Sequence, residues 1–417
     1  KVGSYASAIA YHPNGLTSSY TLGSGLTFTQ GLDTRLRPQV QETKNGSSLI
    51  QRFVYGYSNA SDLTSIDDTV TNTDDLSASY DGLHRLRSAA GIWGSYGYVY
   101  DSLNNIRTRT GATENTLDYT YGANNRLVSI DRPGTNCSDC CDRSIQACGG
   151  DPSARTASLA AVPGTGPVRL RTYSYNGKGE ITGDGSKTFT LNAQGQIQSI
   201  TGIASYGYDG NGKRIKVVKG GATEYALYNK AGKLIYSEKG SDKTDYLSLN
   251  GQTIVEIKKT GSTDTVTYLH PDLLGSPRMA TNASKTVLWQ EHYDPYGQKL
   301  NGVAEKIGYT GHAFDPETNY AYAQARFYDP LVGRFLSTDP IHFVDENPFT
   351  FNRYSYGNNN PYRYRDPDGR IAVADDLVIG GAILLAGCAA TPSCSQKASD
   401  IGVAVISTGE SLINAAP

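Results

Sequence analysis

Two carboxylates stand in Asp-Pro phrases near the end of this 417-residue chain. The first closes Arg326-Phe-Tyr-Asp-Pro-Leu-Val-Gly-Arg-Phe-Leu-Ser-Thr-Asp339-Pro-Ile. The second sits in Pro361-Tyr-Arg-Tyr-Arg-Asp366-Pro367-Asp-Gly369-Arg370. Two carboxyl groups held close share a proton, because both cannot ionise side by side. One pKa rises and the other falls, giving an acid and a base from one residue type. Amide hydrolysis needs that pair: a base to activate water and an acid to protonate the departing nitrogen. An isolated Asp-Pro more often opens a turn, its carboxylate bonding nearby backbone. The turn reading is kept for Asp294, Asp315 and Asp329.

Other chemistry is weaker. His270, His292, His312 and His342 are scattered without metal spacing, and each reads as a packed or surface residue. Asp272 and Arg278 read as a pair that fixes the fold. No G-x-S-x-G elbow and no phosphate loop are present. Cys137, Cys140, Cys141 and Cys148 cluster in one insertion, with Cys388 and Cys394 near the end. The Cys137–Cys140 spacing resembles a zinc half-site, but no second pair completes it. Local disulfides and free surface thiols both remain open, and disulfides would favour an oxidising destination. No metal or cofactor is expected.

The elements that must position the acids are repeats. Aromatic-x-aromatic-Asn/Asp units recur at Tyr55–Leu63, Ser79–Leu86, Tyr98–Ile106, Tyr119–Leu127, Tyr173–Ile181, Phe189–Ile197, Tyr206–Ile215 and Tyr225–Leu234. Each reads as a strand, a turn and a second strand, with aromatics alternating at period two. Asn or Asp followed by Gly supplies the positive φ of a tight turn. One such hairpin is marginal alone, so the units must stack into a continuous sheet. The tyrosines are expected to pack in rows, hydroxyls reaching water or turn backbone. With 46 Gly and 30 Tyr against one Met, composition also points to strands and turns. A net charge of −2 argues against a nucleic-acid partner. Pro133 to Pro167 reads as a long exposed insertion. The chain opens within repeat-like sequence, without an initiator Met, and is expected to be a fragment of a longer protein.

The repeats resemble the YD repeats of the Rhs family. Ordered phrases from Leu274 to Gly369 resemble its core domain more closely. They include Leu274-Gly-Ser-Pro-Arg278, Trp289-Gln-Glu-His-Tyr-Asp294-Pro-Tyr-Gly297, Gly308-Tyr-Thr-Gly311-His-Ala-Phe-Asp315 and Tyr322-Ala-Gln-Ala-Arg326-Phe-Tyr-Asp329. The resemblance spans roughly residues 10 to 370. It implies an all-β fold: YD hairpins spiral into part of a hollow cocoon that a core domain closes. Relatives include polymorphic toxins of bacterial competition, toxin-complex C components and wall-associated proteins. In the toxin relatives the cocoon holds a C-terminal toxin, and an aspartyl autoprotease in the core cuts it free. Carried over, Asp339 and Asp366 are the catalytic pair and Arg326 their supporting arginine. Pro361, Pro367 and Gly369 support the motif, and cleavage falls between Arg370 and Ile371. This chain departs from the family at Arg370, where Leu is usual, and at His342 to Phe351, which reads as a loop insertion.

The expected organisation is a YD shell over 1–267, a core with the autoprotease motif over 268–370, and a C-terminal segment over 371–417. A helix is considered for that last segment, although Gly380, Gly381 and Gly387 weaken it, and its apolar run is too short for a firm membrane span. Expected partners are the chain's own C-terminal segment, a preceding shell half, and a secretion spike or toxin-complex subunit. Location is expected to be secreted or cell-surface. Two alternatives stand beside the self-cutting toxin shell: a non-enzymatic surface or adhesion scaffold, and a toxin-complex shell closed by a separate partner.

Overall fold

The computed structural model describes residues 3–111, 116–133, 167–303, 305–341 and 348–370, with the backbone of three short strands beyond. The four cysteines of the insertion, Cys388, Cys394, His342 and Ile371 lie outside the described residues. Thirteen antiparallel strands, β1 (Ala6–Tyr11) to β13 (Val168–Thr172), follow one another in chain order in a first sheet. A second sheet holds eleven, from β16 (Phe189–Leu191) to β26 (Val287–Gln290). The short pair β14 (Ser174–Tyr175) and β15 (Ile181–Gly183) lies between them in sequence. The second sheet does not stop at residue 267, since β24 (Thr263–Pro271) runs across that position.

One turn chemistry recurs within the aromatic repeats, whereas the Leu249–Gln252 connection is a two-residue Asn-Gly turn with Asn250 at φ +49° and Gly251 at φ +76°. Between β18 (Ala204–Tyr208) and β19 (Arg214–Lys219), Asp209 Oδ1 accepts the N–H groups of Asn211 at 2.9 Å and Lys213 at 2.8 Å. The Gly212 N–H donates to the Asp209 carbonyl at 3.0 Å, with Gly212 at φ +77°. The left-handed residue is therefore the third after the Asp, not the next one. A type I turn closed by a left-handed residue adds a bulge, and the register slips there, from Gly207 opposite Lys216 to Tyr208 opposite Arg214. The same pattern holds at Asp81, where His84 takes φ +61° in place of Gly.

A tyrosine before the turn locks several of the repeats to the previous one. The hydroxyls of Tyr80, Tyr100, Tyr121 and Tyr208 donate to the carbonyls of Leu63, Leu86, Ile106 and Ile197 at 2.6–2.8 Å. These acceptors begin strands of the preceding unit, so the hydroxyls reach strand backbone rather than water or turn backbone. The aromatic body packs while the polar tip is satisfied. Guanidinium groups cover several rings, as Arg85 does over Tyr100 at 4.6 Å.

The inner faces of the sheets pack around a third body. Four short strands, β27 (Ala313–Asp315), β28 (Tyr320–Ala323), β29 (Arg326–Asp329) and β30 (Arg334–Phe335), form a wholly buried sheet. Its Tyr320, Tyr322, Phe327 and Tyr328 share one apolar cluster with shell residues such as Tyr98, Tyr119 and Tyr206. Polar ties match the apolar ones. Arg214 of the shell pairs through both terminal nitrogens with Asp315, and its guanidinium lies 4.3 Å from the Tyr322 ring centre. Asn352 and Asn359 donate to the Asn104 carbonyl at 2.9 Å each, and Asn360 to that of His84 at 2.8 Å. Shell turns thus receive the segment leading to Asp366. β31 (Tyr364–Arg365) pairs with β32 (Val373–Ala374) past residue 370, and there β33 (Val378–Ile379) pairs with β34 (Ala382–Ile383). These described dipeptides are extended rather than helical. Among the described residues no helix is long and apolar enough to cross a membrane.

Replacing Tyr208 by Phe removes one half-buried donor and keeps the ring. The expected cost is about 1 kcal/mol, read as a lower urea midpoint with unchanged slope.

Candidate functional site

Arg326 leads β29 and its side chain is only 2% exposed. A guanidinium so buried needs acceptors on each nitrogen. Nη2 meets Asp339 Oδ2 at 2.8 Å and Asp366 Oδ2 at 2.9 Å. Nη1 donates to the Arg353 carbonyl at 3.0 Å, and Nε to the Gly369 carbonyl at 2.5 Å. The Phe335 ring lies beneath, its centre 3.5 Å from the guanidinium carbon. One side chain therefore binds both acids and the loop that ends at Arg370.

Each acid divides its oxygens between two tasks. Asp339 Oδ1 accepts the Ile341 N–H at 2.8 Å, and Asp366 Oδ1 accepts the Arg370 N–H at 2.9 Å. The ordinary Asp-Pro turn is thus present at both places, and the remaining oxygen of each acid goes to Arg326. The main chain of Asp339 is fixed by Arg353, whose carbonyl accepts the Asp339 N–H at 2.9 Å. The Arg353 guanidinium in turn donates to the Asp339 carbonyl. Burial pushes the Asp339 carboxyl up to about 7, with Arg326 opposing and the Asp366 charge adding. Asp339 thus holds a proton near neutrality, as the acid of such a pair must.

The loop that follows Asp366 is seated without room to spare. Gly369 has φ +72°, and a Cβ there would lie 2.1 Å from the Ala323 carbonyl oxygen. The Asp368 carbonyl accepts the Ala325 N–H at 3.1 Å. Arg370 docks through its main chain, and its side chain is exposed. The Pro361 carbonyl accepts the Tyr309 hydroxyl at 3.4 Å, and the Pro367 carbonyl lies beside Gly232.

The structure brings together Asp339, Asp366, Arg326, Gly369 and Arg370. The other Asp-Pro carboxylates stand elsewhere. Asp294 and Asp329 cap their own turns, both pushed up to about 6 by burial, while Asp315 pairs with Arg214. Arg278 faces Asp272 at 3.9 Å, but its closer partner is Asp74. His270 and His312 are buried neutral, pushed down to about 4 and about 3 by desolvation, and His292 pairs with Asp74. Sequence reasoning missed Phe335, Arg353 and Asp368. Phe335 lies inside the first Asp-Pro phrase and Asp368 inside the second, between Pro367 and Gly369, while Arg353 stands in neither.

Hairpins joined by Asx turns, locked by tyrosines and wrapped on a buried plug define a YD-repeat shell. A family model described as Teneurin YD-shell matches residues 24–362, and the chain belongs to that family. The tRNA3(Ser)-specific nuclease WapA of Bacillus spizizenii is 29% identical over 285 residues, 65% of this chain and 12% of that protein. Toxin subunit YenC1 of Yersinia entomophaga is 25% identical over 221 residues, 44% of this chain and 22% of that protein. Among solved structures, the TcdB2–TccC3 complex matches with a TM-score of 0.64 at 18% identity, over 87% of this chain and 20% of that chain. The Photorhabdus luminescens Tc holotoxin pore matches with a TM-score of 0.65, also at 18% identity, over 88% and 19%. At that identity the likeness concerns the fold. The chain spans about an eighth of the length of the WapA nuclease it matches.

Two outcomes follow from the packing. Gly369→Ala is expected to unseat the 366–370 loop, read as faster amide hydrogen exchange there. Asp339 has a folded pKa of about 7 against 3.8 when free, so its contribution to stability is full below about pH 4 and is lost as pH rises through about 7. Wild-type thermal midpoints should therefore fall from pH 4 to 8 more steeply than those of Asp339→Asn.

Proposed function

We propose that this chain is part of the shell of a secreted or cell-surface toxin protein, and that it cuts its own backbone between Arg370 and Ile371. The observation that carries this is one guanidinium nitrogen bound to both Asp339 and Asp366, beside a loop clamped up to Arg370. The toxin reading is supported by the likeness to toxin subunit YenC1 and to the WapA nuclease. The cargo is the polypeptide after Arg370. A toxin-complex subunit of the kind in the TcdB2–TccC3 assembly is the proposed partner class.

The chemistry is addition of one water across the Arg370–Ile371 peptide. Asp366 takes a proton as the water oxygen bonds to the Arg370 carbonyl carbon. The Asp339 proton passes to the Ile371 nitrogen as the C–N bond breaks. The products are a carboxyl on Arg370 and an amine on Ile371, with one proton left on the acid pair. The bond is tethered beside the acids, so proximity supplies much of the rate of a single turnover. Arg370 in place of Leu is compatible with this, because the loop holds the residue by its main-chain N–H and leaves the side chain in solvent.

A second reading, a YD shell that never cuts itself and serves as a surface scaffold, is favoured by the match to salivary gland surface protein 1 of Aedes aegypti, 38% identical over 116 residues. Intact mass decides between them. The purified chain should yield a fragment ending at Arg370, and Asp339→Asn and Asp366→Asn should each leave it whole. Cleavage should slow above about pH 7, as Asp339 loses its proton. Splitting after Arg370 in both substituted chains would sink the aspartyl mechanism, and an uncut wild-type chain would leave the scaffold.

A further inference from the structure

Asp366 faces a conflict of duties. Its Oδ2 is held by Arg326, and its Oδ1 accepts the Arg370 N–H at 2.9 Å. A base that draws a proton from water needs an oxygen to receive it. The N–H that occupies Oδ1 belongs to the residue whose carbonyl is to be attacked. A second acceptor is already in place: Asp368 Oδ1 lies 3.1 Å from the same Arg370 nitrogen. The Asp368 main chain is fixed independently, through its carbonyl on the Ala325 N–H. Pro367 before it restricts the backbone, and Gly369 after it is pinned against Ala323.

We infer that Asp368 is a positioning residue for the cut. It takes over the Arg370 N–H, keeps the cleavage loop seated, and releases Asp366 Oδ1 to act as base. The hand-over moves no heavy group, because both carboxylates already point at one hydrogen. It is favoured when Asp368 is ionised, since an N–H bond to a charged oxygen is the stronger one. The groups facing Asp368 are Asp366, Arg370 and Arg326, with Asp339 behind them. Burial and then the Asp366 charge push the Asp368 carboxyl up to about 6. The hand-over is thus available above about pH 6, while Asp339 supplies its proton below about pH 7. Cleavage should be bell-shaped in pH between those limits.

The inference rests on the reading that this site cuts the chain, so its test has two arms. The first needs no cleavage. In full-length Asp339→Asn protein, adding Asp368→Ala should speed amide exchange in the peptide containing Arg370 about fivefold. Unchanged exchange would remove Asp368 as an anchor, even if no form of the protein ever cuts. The second arm follows the rate in otherwise wild-type chain. Asp368→Ala should slow cleavage about tenfold. Asp368→Asn, which keeps an acceptor but never carries the charge, should cut more slowly than wild type, with the limb near pH 6 gone and the limb near pH 7 retained. An Asp368→Asn profile identical to wild type would overturn the hand-over. An uncut wild-type chain beside altered exchange would overturn the protease reading and the hand-over, while leaving Asp368 as the loop's anchor.

Discussion

One positive charge buried against two acids is the constraint on which the site depends. Arg326 is enclosed by Phe335 beneath, the Arg353 carbonyl on one side and the Gly369 carbonyl on another. Such a charge is costly to bury unless its nitrogens are all engaged. It can neutralise one carboxylate, and a second one beside it must keep a proton or destabilise the whole cluster. Burial first, and the neighbouring Asp366 charge after it, raise the pKa of Asp339 against the pull of Arg326. Removing Arg326 would strand two acids and unclip the Gly369 carbonyl together, so chemistry and loop placement cannot be separated at this residue.

The acids are built from the same turn that builds the shell. In the repeats, Asp33 and Asp81 use Oδ1 to hold turn N–H groups and Oδ2 to bind an arginine four residues on. Asp339 and Asp366 use Oδ1 in the same way on Ile341 and Arg370. Their Oδ2 atoms instead turn to an arginine from another strand, and to the same nitrogen of it. A local turn thereby becomes a long-range junction. The step from shell repeat to candidate active site is a change in where the cation comes from, with the turn chemistry retained.

The repeats were legible because alternation of aromatics and the Asx turn write a period into the sequence. The details were less so. That the left-handed residue comes third, as His84 after Asp81, depends on a bulge that Asn-Gly or Asp-Gly pairs do not announce. That a tyrosine reaches the previous repeat's carbonyl depends on how the sheet stacks. At the site, Asp339 and Asp366 could be nominated only through the phrases around them, since their separation in sequence says nothing of their meeting. Phe335, inside the first phrase, and Arg353, outside both, gave no sign of their roles, because a ring under a guanidinium and a carbonyl acceptor make no demand on sequence spacing.

The two departures from the family pattern bear differently on the site. Arg370 enters through an N–H that every residue but proline would offer, so a change of side chain there leaves the clamp intact. Gly369 is the opposite case. Its backbone is left-handed and its Cα faces the Ala323 carbonyl, so no other residue fits without moving the loop. The seating of the loop therefore rests on the glycine that lets the chain approach β28 and β29, and the residue after it is held only by its backbone. The residues after His342 join Asp339 to Arg353, and both ends of that stretch are tied: Asp339 gives its N–H to Arg353, and Arg353 returns its guanidinium to the Asp339 carbonyl. Each acid is thus placed by contacts outside that stretch's interior, Asp339 by its clasp with Arg353 and Asp366 by Arg326.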